Sequence, residues 1–255
     1  MLVKILVCFF AGMGAGLGTG FAGMSAAAAI SPMLITFLGM EAYQAVGIAL
    51  ASDVLASAVS AWTYGKNKNL DIKNGAVMMA AVLLFTLVGS YVSSLVPNRT
   101  MGGFSMFMTL MMGIKFIVRP VMTTKESSEQ SDRKQRLIRS ILSGMLVGFI
   151  CGFVGAGGGM MMLLVLTSLL GYDLKTAVGT SVFIMTFTAF TGSMSHFAIG
   201  GIGDITCLVL CVLSTLVWAR IAARFANKAD PAVLNRATGV VLTALGVVMV
   251  IFQYL

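Results

Sequence analysis

Charge is what this chain has least of. Only 10% of its 255 residues are charged and nine are acidic, while 58% are hydrophobic; a soluble domain carries about 25% charge. Water is therefore not its main solvent, and the sequence reads as an all-α integral membrane protein. At about 20 residues per crossing it has room for roughly eight spans and no soluble domain beside them. Histidine occurs once. Cysteine occurs four times, at Cys8, Cys151, Cys207 and Cys211, with no CxxC pair and no histidine–cysteine cluster. No metal centre or cofactor is expected from such a set, and the cysteines read as small packing residues. Neither a nucleophile elbow nor a histidine near Ser52 and Asp53 is present, so no enzyme is read. The net charge of +8 fits lysines and arginines flanking membrane helices better than a nucleic-acid partner.

What the chain does have is one stretch used twice. GFAGMSAAA, Gly20 to Ala28, returns as GFVGAGGGM, Gly152 to Met160. Sliding the second half back without a gap until Gly152 falls on Gly20 superposes Gly12, Met13, Gly16, Gly20, Phe21, Gly23, Gly39, Ala45, Val46 and Gly47 on identical residues. Such a register marks an internal duplication. Met1 to Gly20 has Lys4 ahead of an apolar run, as a signal peptide would, but lacks a small-residue cleavage site before a polar start. It also belongs to the repeat, so it is read as part of the fold.

Taken in order, Val3–Phe21 is a span, and Ser25–Leu38 is a limb of about 20 Å, short of a ~30 Å hydrocarbon core. Spans follow at Ala45–Tyr64, Gly75–Val96 and Gly102–Val118. The hydrophilic run TTKESSEQSDRKQRLIR, Thr123 to Arg139, separates a first repeat (1–119) from a second (137–255), with a cytoplasmic linker at 120–136. The second repeat has a span at Leu137–Gly155, a break at Gly157 to Gly159 and a return through Met160–Leu170. Spans at Thr176–Ile199 and Ile205–Ala219, a loop at Arg220–Arg236 and a helix at Ala237–Leu255 complete it. If each short limb returns to its own side, the loop at 65–73, the linker, the turn at 172–175 and the loop at 220–236 share one face. That face collects nearly every basic residue, leaving only Lys4 and Arg99 opposite. By the positive-inside rule it is cytoplasmic, both termini are outside, and the chain lies in the cytoplasmic membrane. The two repeats are then inverted in topology, with about eight transmembrane helices and two short return limbs.

Inside a bilayer a helix interruption persists only where protein or a cavity satisfies its backbone. Each return limb starts with free N–H groups and the positive end of its dipole, which favour an anion. Small residues there, Gly23, Ser25, Gly157, Gly158 and Gly159, let the backbone approach it. The glycines from Gly12 to Gly18 read instead as close helix contacts.

At this point the residues resemble a family. GFICGFVGAGGGMMMLLVL followed by KTAVGTSVF is similar to the break-and-span pattern of the TauE/SafE, or sulfite exporter, family of anion permeases. The first copy departs from it at Met24-Ser25-Ala26-Ala27 and Ile48-Ala49. The resemblance covers nearly the whole chain and implies a permease for sulfite, organosulfonates or related small anions.

Asp53 lies mid-span, where a carboxylate costs at least about 2.5 kcal/mol on insertion scales; it is either a proton-coupling group or a structural acid bonded to nearby serines or across to a basic partner. His196 is expected near the outer end of its span, as a proton-coupling group or a headgroup-level anchor. Hydroxyls of Ser52, Thr180 and Ser181 are expected to supplement the backbone donors. The resulting expectation is a small-anion transporter whose partners are its substrate and the lipid bilayer, with room for a homo-oligomer. Its rivals are a metal-cation carrier using Asp53 and methionines, and a membrane assembly subunit that moves nothing.

Overall fold

The computed structural model describes residues 1–97, 133–155 and 158–230, together with single positions within 100–118 and 233–251. The expected fourth span, most of the linker, the last helix and Gly157 fall outside the described residues. Among those described, the chain forms eight α-helices and no strand. These are α1 (Leu2–Ala22), α2 (Ala27–Leu38), α3 (Ala42–Lys66), α4 (Ile72–Ser94), α5 (Arg133–Val154), α6 (Gly158–Leu164), α7 (Leu174–Gly200) and α8 (Ile205–Ala226). A π-helical stretch, Val165–Leu169, prolongs α6. Among the described residues, five helices are long and apolar enough to cross a membrane: α1, α3, Gly75–Ser94 of α4, α7 and α8.

The glycines explain how the rods pair. In a bilayer apolar surface gains nothing by leaving lipid for protein, so helices associate through close packing, which small residues permit. A Cβ on Gly12, Gly16 or Gly20 of α1 would lie 2.5–2.6 Å from Ser214, Thr215 or Ala222 of α8. Gly144, Gly148 and Gly152, their counterparts in the second copy, do the same to α4, where a Cβ would stand 2.9, 2.3 and 2.0 Å from the carbonyl oxygens of Met78, Val82 and Thr86. The order of these contacts fixes direction: α1 runs parallel to α8, and α5 parallel to α4. Gly47 faces Phe197 while Gly179 faces Tyr64 and Asn69, so α3 and α7 are antiparallel.

Loops sort the ends. Lys4, in the first turn of α1, pairs with Asp204 at the start of α8. At the other end Asn69 Nδ2 donates to Asn227 Oδ1 (3.0 Å), Lys175 Nζ to the Asn227 carbonyl (2.9 Å) and Tyr172 Oη to Asp71 Oδ2 (2.8 Å). The loop after α3, the start of α7 and the end of α8 thus share one face, as the charge pattern requires, and α1 and α5 run in opposite directions across the bundle. Two boundaries are corrected. The second short limb starts at Gly158 rather than Met160, so Gly158 and Gly159, expected in the break, lie in α6. α8 does not stop at Ala219 but continues to Ala226. Arg220 and Arg224, expected in a loop, are exposed on its last turns, a place that long basic side chains tolerate because they can carry the charge out to water.

Asp204 has two duties. Its Oδ1 accepts the N–H groups of Thr206 (2.9 Å) and Cys207 (3.1 Å), capping α8, and its Oδ2 takes Lys4. Lys4 first, then the two capping N–H groups, hold its carboxyl below the usual carboxylate range. A carboxyl whose pKa is lowered by folding stabilises the fold above its unfolded pKa, and that contribution is lost as pH falls through the lowered value. Thermal unfolding in detergent is therefore expected to drop on the acid side, and Asp204→Asn, which keeps the cap but not the pair, to flatten that drop.

Candidate functional site

The first break is built by glycine. α1 ends at Ala22, and Gly23 turns into the left-handed region at φ 63°. Its N–H donates to the carbonyl of Thr19 (3.0 Å) and the Met24 N–H to that of Gly18 (3.3 Å), a left-handed helix end that glycine enters cheaply. The second break repeats it: α5 ends at Val154, Gly155 has φ 70°, and its N–H donates to Cys151 O at 2.8 Å. Gly39 and Gly171, after the two short limbs, also have positive φ and are themselves counterparts in the repeat register.

The breaks touch each other. Ser25 Oγ donates to the Gly155 carbonyl at 2.9 Å and accepts the Ala27 N–H at 3.3 Å, so one hydroxyl caps α2 and ties down the opposite break. A Cβ on Gly159 would stand 2.4 Å from Gly23 O and 2.8 Å from Ser25 N; one on Gly23 would stand 2.3 Å from Ser181 Oγ. Gly159 therefore has no room for a side chain, and α7 closes the junction through Ser181.

Asp53 lies beside this junction, fully buried. It is 11 residues from the start of α3 and 13 from its end, so at about 1.5 Å per residue it is close to mid-helix. Its Oδ1 accepts Ser57 Oγ (2.8 Å), one turn along the same face, and Thr19 Oγ1 (3.5 Å) from the last turn of α1. Oδ2 completes no hydrogen bond among the described residues, although Ser25 and the Ala26 N–H, at the start of α2, lie beside the carboxyl. The positive end of α2 therefore already faces an acid of the chain itself.

The corresponding positions of the second half are different. Thr19, Asp53, Ser57 and Ser60 correspond to Cys151, Met185, Ala189 and Gly192, and Cys151, Met185 and Ala189 pack in an apolar cluster with Val46 and Leu50. Among the described residues both breaks recur, but the polar pocket of the first half is apolar in the second.

His196 does not turn outward as a headgroup anchor would. It is 1% exposed, with Nε2 3.0 Å from the Gly152 carbonyl and Nδ1 3.2 Å from that of Tyr43. Its counterpart Tyr64 donates from Oη to the Gly20 carbonyl at 3.1 Å. Gly20 and Gly152 lie in the last turns of α1 and α5, where carbonyls have lost their helical partners. Tyr64 supplies the missing donor to Gly20, and His196 does so to Gly152 when Nε2 carries the proton. Tyr64→Phe is expected to cost about 1 kcal/mol, the usual net value of one hydrogen bond, read as a lowered unfolding midpoint.

The other expected site residues divide. Gly23, Ser25, Gly159 and Ser181 meet at the junction, while Gly158 packs on Cys151 of α5. Thr180 does not reach it by its hydroxyl: Oγ1 accepts the Asp71 N–H (3.1 Å) and pins the loop between α3 and α4. Ser52 donates to Ile48 O within its own helix at 2.8 Å. Thr19 was not foreseen; its position one residue before the repeated Gly-Phe was the available signal.

A bundle of apolar helices with two interrupted elements meeting around a buried carboxyl is the build of a polytopic membrane transporter. The family model described as Sulfite exporter TauE/SafE matches residues 8–249, and the chain belongs to that family. It is 27% identical to the Bacillus subtilis "Probable membrane transporter protein YunE" over 208 residues, 76% of each chain. It is 21% identical to YdhB of the same organism, under the same description, over 92% of this chain and 94% of that one. A Haemophilus influenzae "Probable membrane transporter protein" is 29% identical over 64% of this chain and 60% of its own. No solved structure matches.

Proposed function

We propose that this chain is a secondary transporter moving a small anion (sulfite, an organosulfonate or a short carboxylate) across the cytoplasmic membrane. The observation that carries the reading is the junction of the two breaks, where Ser25, the first N–H groups of α2 and Asp53 converge around one buried point. The anion binds at the start of α2, against backbone at Gly23, Ser25 and Gly157 to Gly159, with Ser181 beside it. While Asp53 is ionised its own charge holds that place. Taking up a proton removes the charge as the substrate arrives, which couples the two in the same direction. His196 is the second candidate for coupling. As imidazolium it donates to both Gly152 and Tyr43; as neutral imidazole it donates to only one.

Alternating access follows from two inverted repeats rocking about the junction. Supporting it are the opposed directions of α1 and α5 and the equivalent pairings of α1 with α8 and of α5 with α4. The basic face of Lys66, Lys68, Lys175 and Lys228 is cytoplasmic in this reading, with the amino terminus outside.

The test is counterflow in proteoliposomes: vesicles loaded with unlabelled sulfite take up labelled sulfite, and excess sulfonate or short carboxylate competes. Absence of anion exchange, or flux of a divalent cation instead, rules the reading out.

A further inference from the structure

Away from the junction, the seam between antiparallel α3 and α7 opens toward lipid as two neighbouring hollows. The first, about 520 Å³, runs from Ala58 to Lys66 on α3 and faces Phe183 and Phe187 of α7. The second, about 420 Å³, continues along the seam past Ala51 and Leu55 and Phe190 and Met194 to α8. Alanines and Gly65 on α3 leave the floor low, and Trp62 (68% exposed) and Phe187 (43%) stand up as its rims. From Ala58 to Lys66 the helix rises about 12 Å, within the ~15 Å that one leaflet contributes to a ~30 Å core.

Among the described residues, one charge lines the two hollows, and it is at the mouth. Lys66 lies at the end of the first, its Nζ 5.1 Å from the centre of the Trp62 ring. Among the described residues no carboxylate lines either hollow, and Lys66 is in no ion pair. Lys68 is exposed two residues on. A cation fixed over an aromatic ring at the membrane surface, above an apolar trough one leaflet deep, is complementary to an anionic headgroup with an acyl chain beneath it.

We propose that this trough is a binding site for an anionic phospholipid, its phosphate on Lys66 and one acyl chain between α3 and α7. The site is separate from the transport junction and does not depend on what is transported. A second copy of the chain is the competing occupant, and a lone lysine among apolar rims does not complement its identical basic surface.

Trp62 reports directly, since Trp218 is the only other tryptophan and Trp218→Phe isolates its fluorescence. In phosphatidylcholine vesicles, brominated-chain phosphatidylglycerol is expected to quench Trp62 at a several-fold lower mole fraction than brominated-chain phosphatidylcholine. Lys66→Gln is expected to bring the two lipids together, and Lys68→Gln, outside the hollow, to leave them apart. Native mass spectrometry of the tryptophan-intact chain checks this independently: more retained phosphatidylglycerol than phosphatidylcholine, with the excess lost in Lys66→Gln. Equal binding of the two lipids, a preference that survives Lys66→Gln, or Trp62 shielded from both lipids within a dimer would overturn the proposal.

Discussion

Gly152→Val is expected to prevent the bundle from closing. A Cβ at 152 would stand 2.0 Å from the carbonyl oxygen of Thr86 and 2.9 Å from the Ser90 nitrogen. Both are backbone atoms of α4, so no rotamer change relieves the clash. α5 and α4 would have to part by about an ångström or more, which loosens the whole Gly144–Gly148–Gly152 stripe. It also displaces Gly155, whose carbonyl holds Ser25. Overpacking of this kind costs about 1–3 kcal/mol where side chains can yield and more where they cannot. Few monodisperse molecules in detergent are therefore expected, with an unfolding midpoint well below that of the unaltered chain. Gly18→Ala is the control: the new Cβ meets only the Met24 side chain, at 3.7 Å. Replacing a helical glycine by alanine at an open position is worth about 0.5–1 kcal/mol in favour of the fold. A Gly152→Val chain that unfolds with its parent would remove the close-packing account of α4 and α5.

Those stripes could be read in the sequence because each depends on glycine at fixed spacing, and the same spacing recurs in the second copy. The breaks could be read in outline from the small residues at Ser25 and at Gly157 to Gly159 beside limbs too short to span, but the left-handed turn of the second falls earlier, at Gly155, and Gly158 and Gly159 already belong to α6. What did not survive the reading depends on neighbours from other elements. His196 lies four residues from the end of α7, a place suited to a headgroup anchor. Its ring turns inward because α5 breaks alongside and leaves the Gly152 carbonyl without a helical donor. Thr180 and Ser181 are adjacent, but consecutive residues of a helix point about 100° apart. One therefore faces the α3–α4 loop and the other Gly23, and no periodicity says which. The end of α8 was misplaced because arginine suggests water, whereas Arg220 and Arg224 are good helix formers whose stems reach the surface from inside the last turns. Least visible was the polar asymmetry. Asp53 stood out as a mid-span acid, but only the fold shows that Thr19, Ser57 and the start of α2 surround it while Cys151, Met185 and Ala189 fill the equivalent space.

That asymmetry makes Asp53 the residue whose replacement has the sharpest consequence. Asp53→Asn keeps an oxygen to accept from Ser57 and Thr19, at 2.8 and 3.5 Å in the parent, and adds no bulk, so the chain is expected to fold. It cannot gain or lose a proton in the physiological range. If a proton on Asp53 travels with the anion, a pH gradient has nothing left to act on. Accumulation in proteoliposomes driven by that gradient is then expected to fall to simple equilibration, while exchange between equal anion pools at one pH continues. The split between the two assays is what a purely structural acid does not predict, since a damaged fold lowers both together. Asp53→Leu provides the structural scale. It removes the acceptor for two buried hydroxyls and is expected to cost about 1–3 kcal/mol of stability, the penalty for leaving buried polar groups unpaired, read as a lower unfolding midpoint. Accumulation by Asp53→Asn that still follows the pH gradient as in the parent would take the proton off this carboxyl, leaving His196 as the group to test.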